Sequence, residues 1–216
     1  SSDVCSSDLL TTVVGKDIPD DIRRELVSDL FGNVGSLVAG GVCGALACFV
    51  VATRNDNVAL YACAGAMVAI FIVRAGIAAR FKAQQARPPG NGQDLDRWER
   101  RYAIGAVLFA ACCGLMCYTA YIQTNDVVGQ LVAELTTLGY AAGVTARNSS
   151  RINIAIGQLL ASLVPTILGA ALRFEIGFML ISGFTLIFLF SLLEISVSSF
   201  QRNLRILVLN KENSAL

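Results

Sequence analysis

The chain has 216 residues, of which 55% are hydrophobic, and a mean hydropathy of +0.61, too apolar for an ordinary soluble domain. A net charge of +1 gives no footprint for a nucleic-acid partner. The absence of any histidine removes the usual metal and haem ligand, the proton shuttle and the phospho-accepting imidazole.

The first nine residues, SSDVCSSDL, have neither periodicity nor the design of a signal peptide. They resemble translated read-through of a sequencing adapter. Residues 1–16 are therefore expected to be artefactual or disordered, with the natural N-terminus missing. From Asp17 a helix start is legible. Pro19 suits a first turn, and Asp17, Asp20 and Asp21 favour its positive end. Ile22, Leu26, Val27, Leu30 and Phe31 form an apolar stripe opposite Arg23, Arg24, Glu25 and Asp29, so residues 17–33 read as an amphipathic helix. It lies on the membrane face or packs on the protein.

A span needs about 20 apolar residues. Six runs qualify, at residues 34–53, 57–73, 102–122, 127–146, 152–172 and 176–198, and the fourth is the least apolar. The expected fold is all-α: a polytopic bundle of six transmembrane helices over residues 34–199, preceded by the amphipathic helix. Residues 200–216 begin a cytoplasmic linker helix.

A basic loop is expected from Arg74 to Arg101, between the second and third runs. It carries Arg74, Arg80, Lys82, Arg87, Arg97, Arg100 and Arg101, with Pro88, Pro89 and the only tryptophan, Trp98. Such a loop is held on the cytoplasmic side by the positive-inside rule. Alternation then puts 15 of the 17 Lys and Arg residues inside and only Arg54 and Arg173 outside. Both termini are cytoplasmic in this arrangement. The outer loops are a few residues long, so any stimulus must be sensed in the bilayer, at its surface or from the cytoplasm.

Ser36, Gly40 and Gly44 in the first run, and Ala106, Ala110 and Gly114 in the third, are small-residue ladders that let helices approach closely. Bundle packing and dimerisation explain them equally. Cys43, Cys48, Cys63, Cys112, Cys113 and Cys117 lie inside apolar runs, where a thiol acts as a small hydrophobe. Cys112, Cys113 and Cys117 are spaced to meet a soft metal, but nothing else in the sequence supports one, and no metal is expected.

An ionisable group at the bilayer centre costs about 2.5–3.5 kcal/mol on insertion scales, so each one needs a reason. Glu134 stands about 10 Å into the fourth run at helical rise, with Gln130 and Thr137 on the same face. It reads either as a protonatable sensing site or as hydrogen-bonded glue between helices. Glu194 can snorkel to the interface. Pro165 withdraws the partner of the Ala161 carbonyl and is expected to kink the fifth helix, beside the polar Gln158 and Asn153. The last run continues without a breaker, and Leu193, Val197, Phe200, Leu204 and Leu207 form a short heptad seam. That seam is an output helix or simply an amphipathic tail. No catalytic set is present.

Three stretches together resemble one family: IPDDIRRELVSDLF, the segment Arg97 to Gly105 (RWERRYAIG), and GYAAGVTARNSSRINIAIGQLLASLVP from Gly139 to Pro165. They are similar to the N-terminal six-span sensor region of bacterial membrane-bound diguanylate cyclases, whose cytoplasmic GGDEF domain makes cyclic di-GMP and is in some members followed by an EAL phosphodiesterase domain. The closing QRNLRILVLNKENSAL resembles the linker helix before that domain. The resemblance implies the regulatory part of a cyclase, truncated before its catalytic domain. Its partners would be the bilayer, a second copy in a homodimer and a cytoplasmic output domain in cis. No cofactor is expected in this chain; GTP and Mg would belong to the missing domain. The same architecture also suits a histidine-kinase sensor, and a small transporter or channel is the alternative from another class.

Overall fold

In the computed structural model, residues 34–85, 93–148 and 151–214 are described. The expected amphipathic helix at 17–33, together with Arg87, Pro88 and Pro89, lies outside them. The described residues are all helical apart from short connections. They form α1 (Val34–Asn55), α2 (Val58–Gln85), α3 (Gln93–Gln123), α4 (Val127–Arg147), α5 (Ile152–Ala171) and α6 (Ile176–Ser214). All six are long and apolar enough to cross a membrane, so the expected six-span bundle is observed.

Two boundaries are corrected. The basic loop from Arg74 to Arg101 is helical at both ends: α2 continues to Gln85, and α3 begins at Gln93, nine residues before the expected start at Tyr102. Charge ended the apolar run but not the helix. Each residue added to an existing helix gains one hydrogen bond without a new nucleation cost, and Ala, Arg, Lys and Gln are good formers. Trp98 consequently sits on α3, with its ring edge against Phe81 of α2 at 5.7 Å.

The helices run alternately up and down. At one end, Arg151 at the start of α5 pairs with Glu99 on α3 at 3.0 Å. This end also carries Arg74, Arg80, Lys82, Arg97, Arg100, Arg101 and Arg147, and is called the basic end below. At the other end, Arg54 meets Asp126 through Nε–Oδ2 at 2.6 Å and Nη2–Oδ1 at 2.9 Å, tying α1 to the start of α4. Asn57 caps α2 by accepting from the Ala59 amide at 2.9 Å and reaches Gln123 at 3.0 Å.

The centre of the bundle is α3 against α5, where the small residues allow close contact. A Cβ on Gly114 would lie 2.5 Å from the Ser162 carbonyl oxygen and 2.7 Å from that of Ala161. A Cβ on Gly169 would lie 2.9 Å from the Tyr118 Cα. The Ala161 carbonyl is the one that Pro165, inside α5, leaves without an amide donor. It faces the bare Gly114 backbone.

Half of the apolar stretch of α3 and of α5 is buried, against 17% for α6, which is the peripheral helix. Phe184, Ile187 and Phe190 on α6, and Leu46 and Ile72 on α1 and α2, stand more than half exposed. Apolar surface on this scale, on helices of spanning length, is covered by lipid.

Candidate functional site: a polar core in two parts

Polar side chains inside the bundle gather in two clusters. The first surrounds Glu134, which is 6% exposed. Its Oε2 accepts from Tyr121 Oη at 2.9 Å and Cys117 Sγ at 3.2 Å, and its Oε1 accepts from Thr185 Oγ1 at 2.9 Å. The carboxyl thereby joins α3, α4 and α6 through three neutral donors. No arginine or lysine makes an ion pair with it among the described residues.

The rest of the expected α4 stripe is buried beside it. Thr137 Oγ1 donates to the Ala133 carbonyl at 2.8 Å and approaches that of Cys113 at 3.2 Å. Gln130 Nε2 donates to the carbonyls of Thr124 at 2.9 Å and Ala120 at 3.3 Å, closing the last turn of α3. Gln158 stands apart from these three. Cys112, Cys113 and Cys117, whose spacing alone would allow a soft metal, are placed otherwise: Cys117 is engaged with Glu134, and no three ligating side chains among the described residues are placed to hold an ion.

The second cluster lies toward the basic end. Tyr102 Oη donates to Asn148 Oδ1 at 3.0 Å, and Asn148 Nδ2 donates to Gln158 Oε1. Gln158 Nε2 donates to Tyr140 Oη at 2.6 Å and to the Ala106 carbonyl at 3.3 Å. This relay joins α3, α4 and α5. Against it lies Arg74, expected in a solvated loop but 6% exposed on α2. Its guanidinium stacks on the rings of Tyr102 at 5.6 Å and Phe109 at 5.8 Å. The space for its stem comes from Gly105, where a Cβ would fall 2.9 Å from Arg74 Cγ. Arg147, in the last turn of α4, is half-buried, with Nε and Nη2 of its guanidinium out of reach of solvent.

Comparison of the chain with protein-family models, with curated proteins and with solved structures returned no match.

Of the residues expected from sequence, Gln130, Glu134 and Thr137 come together on the α3 side of α4, and Pro165 sits at the α3–α5 crossing. Arg80, Lys82, Arg97, Arg100 and Arg101 are at the basic end. Val197 and Phe200 lie on α6; the side chains of Leu204 and Leu207 fall outside the described set. Tyr102, Tyr121, Tyr140 and Thr185 carry no sequence signal of a site, because each is polar only at its tip or lies in an otherwise apolar run, and Asn148 stands in a polar connection (ARNSSR) that reads as solvated. Only the fold places them opposite the α4 and α5 polar groups.

Proposed function

We propose that this bundle is a sensory and dimerisation module of a bacterial inner membrane, with both chain ends cytoplasmic, which regulates an output domain in cis. By resemblance, that domain is a GGDEF diguanylate cyclase, and it would hold the GTP and Mg. The observation that supports this reading is α6. It is one unbroken helix of 39 residues, running from the outer connection past the end of the span into the charged segment after Ser199. At 1.5 Å per residue it is about 58 Å long, roughly twice the hydrocarbon thickness. A peripheral helix of that length, attached to the core through few polar contacts, suits mechanical transmission by a two-state shift.

The orientation rests on the charge bias, since among the described residues Arg54 and Arg173 are the cations at the end opposite the basic one. The link from polar core to output is Glu134 to Thr185. A change in hydrogen bonding at Glu134 is felt by α6 directly.

The test has two parts. The coding sequence after Leu216 is expected to continue in frame into a GGDEF-containing domain; a stop codon at that point would sink the reading. In the full-length protein, Glu134→Gln and Thr185→Val are expected to shift cellular cyclic di-GMP while membrane levels stay constant. Equal cyclic di-GMP for both variants and the parent would leave Glu134 as packing alone.

A further inference from the structure

Among the described residues, the second polar cluster holds positive charge with no carboxylate paired to it. In both Arg74 and Arg147, Nε and Nη2 are buried without a hydrogen-bond partner, and neither guanidinium forms an ion pair with a described carboxylate. The nearby acceptors are already engaged, since Asn148, Gln158 and Tyr140 are bonded to one another or to Tyr102. Ring stacking gives Arg74 a partial offset. It does not supply an anion, and a buried cation without one is strongly unfavourable.

Beside Arg147 there is room for an anion. A groove of about 360 Å³ runs between α1 and α4, lined by Ala39, Gly40 and Gly44 on one helix and Gly139, Tyr140 and Gly143 on the other, with Arg147 at its basic end. From Arg147 to Leu135, its deepest α4 residue, it spans twelve residues, or about 18 Å at helical rise. Ala39, Gly139 and Gly143 are exposed, so the groove opens sideways, on the surface that lipid covers. A Cβ at Gly139 or Gly143 would meet nothing within 4 Å, and one at Gly40 would meet only Arg147 Nη1, at 3.9 Å. Arg74 is one ring behind: it stacks on Phe109, whose ring touches Tyr140 at 5.5 Å and lies under Gly44.

We propose that this groove binds an anionic phospholipid, with the headgroup phosphate on the Arg147 guanidinium and an acyl chain along the glycine-lined trough. A guanidinium fork matches phosphate oxygens in two-point geometry. The trough is apolar, of the length of an acyl segment, and open toward the bilayer from which a lipid would enter. Its volume is within the range of small-molecule sites. The site depends on membrane embedding and on no assumption about an output domain.

The test is lipid retention by the full chain in detergent, read by native mass spectrometry with phosphatidylglycerol, phosphatidylcholine and oleate, and by thermal stability with inorganic phosphate alone. The expected result is retention of phosphatidylglycerol about tenfold above phosphatidylcholine, the scale of one charge-assisted contact. That preference is lost in Arg147→Gln and kept in Arg147→Lys. Gly143→Leu fills open space and favours the helix; it is expected to fold normally and to lose bound lipid, which keeps the test decisive if Arg147→Gln fails to fold. Equal retention of the two phospholipids, or a preference unchanged in both Arg147→Gln and Gly143→Leu, overturns the proposal. So does stabilisation by inorganic phosphate alone or selective retention of oleate, since each assigns the site to another anion. Occupation of the groove by a second copy, or by the chain's own residues 17–33, would appear as no lipid retained by the parent protein and overturns it too.

Discussion

Thr185 of α6 donates a hydrogen bond of 2.9 Å to Oε1 of Glu134 on α4, across the boundary between the peripheral helix and the packed core. Both side chains are buried, Thr185 at 3% exposure. Water cannot replace this contact, so its strength sets how firmly α6 is registered on the bundle.

Hydrogen bonds between membrane helices average about 0.6 kcal/mol and reach about 1.7 kcal/mol at most. Thr185→Val keeps the shape and removes the donor. It is expected to cost toward the upper part of that range, because Thr185 is the one α6 donor to the Glu134 carboxyl among the described residues. A double-mutant cycle with Glu134→Leu, which removes the acceptor that glutamine would keep, measured by denaturation in detergent, should return a coupling energy of similar size. Purely additive losses would mean that the two groups act independently.

Glycines in this bundle separate into two classes with opposite expected responses. Gly114→Ala places a methyl 2.5 Å from the Ser162 carbonyl oxygen, where only movement of the α5 backbone relieves the clash. Overpacking of this kind costs about 1–3 kcal/mol. Gly139→Ala meets open space and gains up to about 1 kcal/mol of helix propensity. Melting temperatures of the two variants in one detergent should move in opposite directions. A harmless Gly114→Ala would show that α3 and α5 are not in close contact.

How far these features are legible in the sequence depends on whether a signal is local. The six spans are, because each needs only its own run of apolar residues. The polar face of α4 is too, since residues 130, 134 and 137 share a face at helical spacing whatever lies opposite. The partners Tyr121, Cys117 and Thr185 come from two other helices, and no periodicity points to them. Arg74 was misassigned to solvent for the same reason. Its burial depends on the gap at Gly105 and on rings of α3 that sequence spacing cannot bring beside it. The left-handed backbone at Phe174, φ 53°, between α5 and α6 is likewise set by chain reversal rather than by residue type.

Arg74→Met should stabilise the chain in detergent free of anionic lipid. Replacing buried ionic groups by apolar side chains of similar volume is often neutral or stabilising, by about 1–4 kcal/mol. Here the charge has no carboxylate to lose. Methionine retains the stem beside Gly105 and a polarisable sulfur for the Tyr102 and Phe109 rings. The check is the melting temperature of Arg74→Met against the parent, with Arg80→Met on the exposed face as control. A large loss of stability would show that the guanidinium is compensated.

The lock at the other end of the bundle should be acid-labile. The Arg54 guanidinium bonded to Asp126, outside the spans, holds that carboxyl down to about 2, below the ordinary aspartate value. A carboxyl depressed in the folded state contributes stability that is complete above its unfolded pKa, about 4. The contribution then falls away as pH drops from about 4 toward 2, when the unfolded chain binds a proton that the folded chain refuses. Asp126→Asn keeps the size of the side chain and removes the titration. The melting-temperature gap between the parent and Asp126→Asn should be constant from pH 7 to about 5, narrow below pH 4 and close near pH 2. A gap unchanged across that window would mean that Asp126 and Arg54 are not paired in the folded protein.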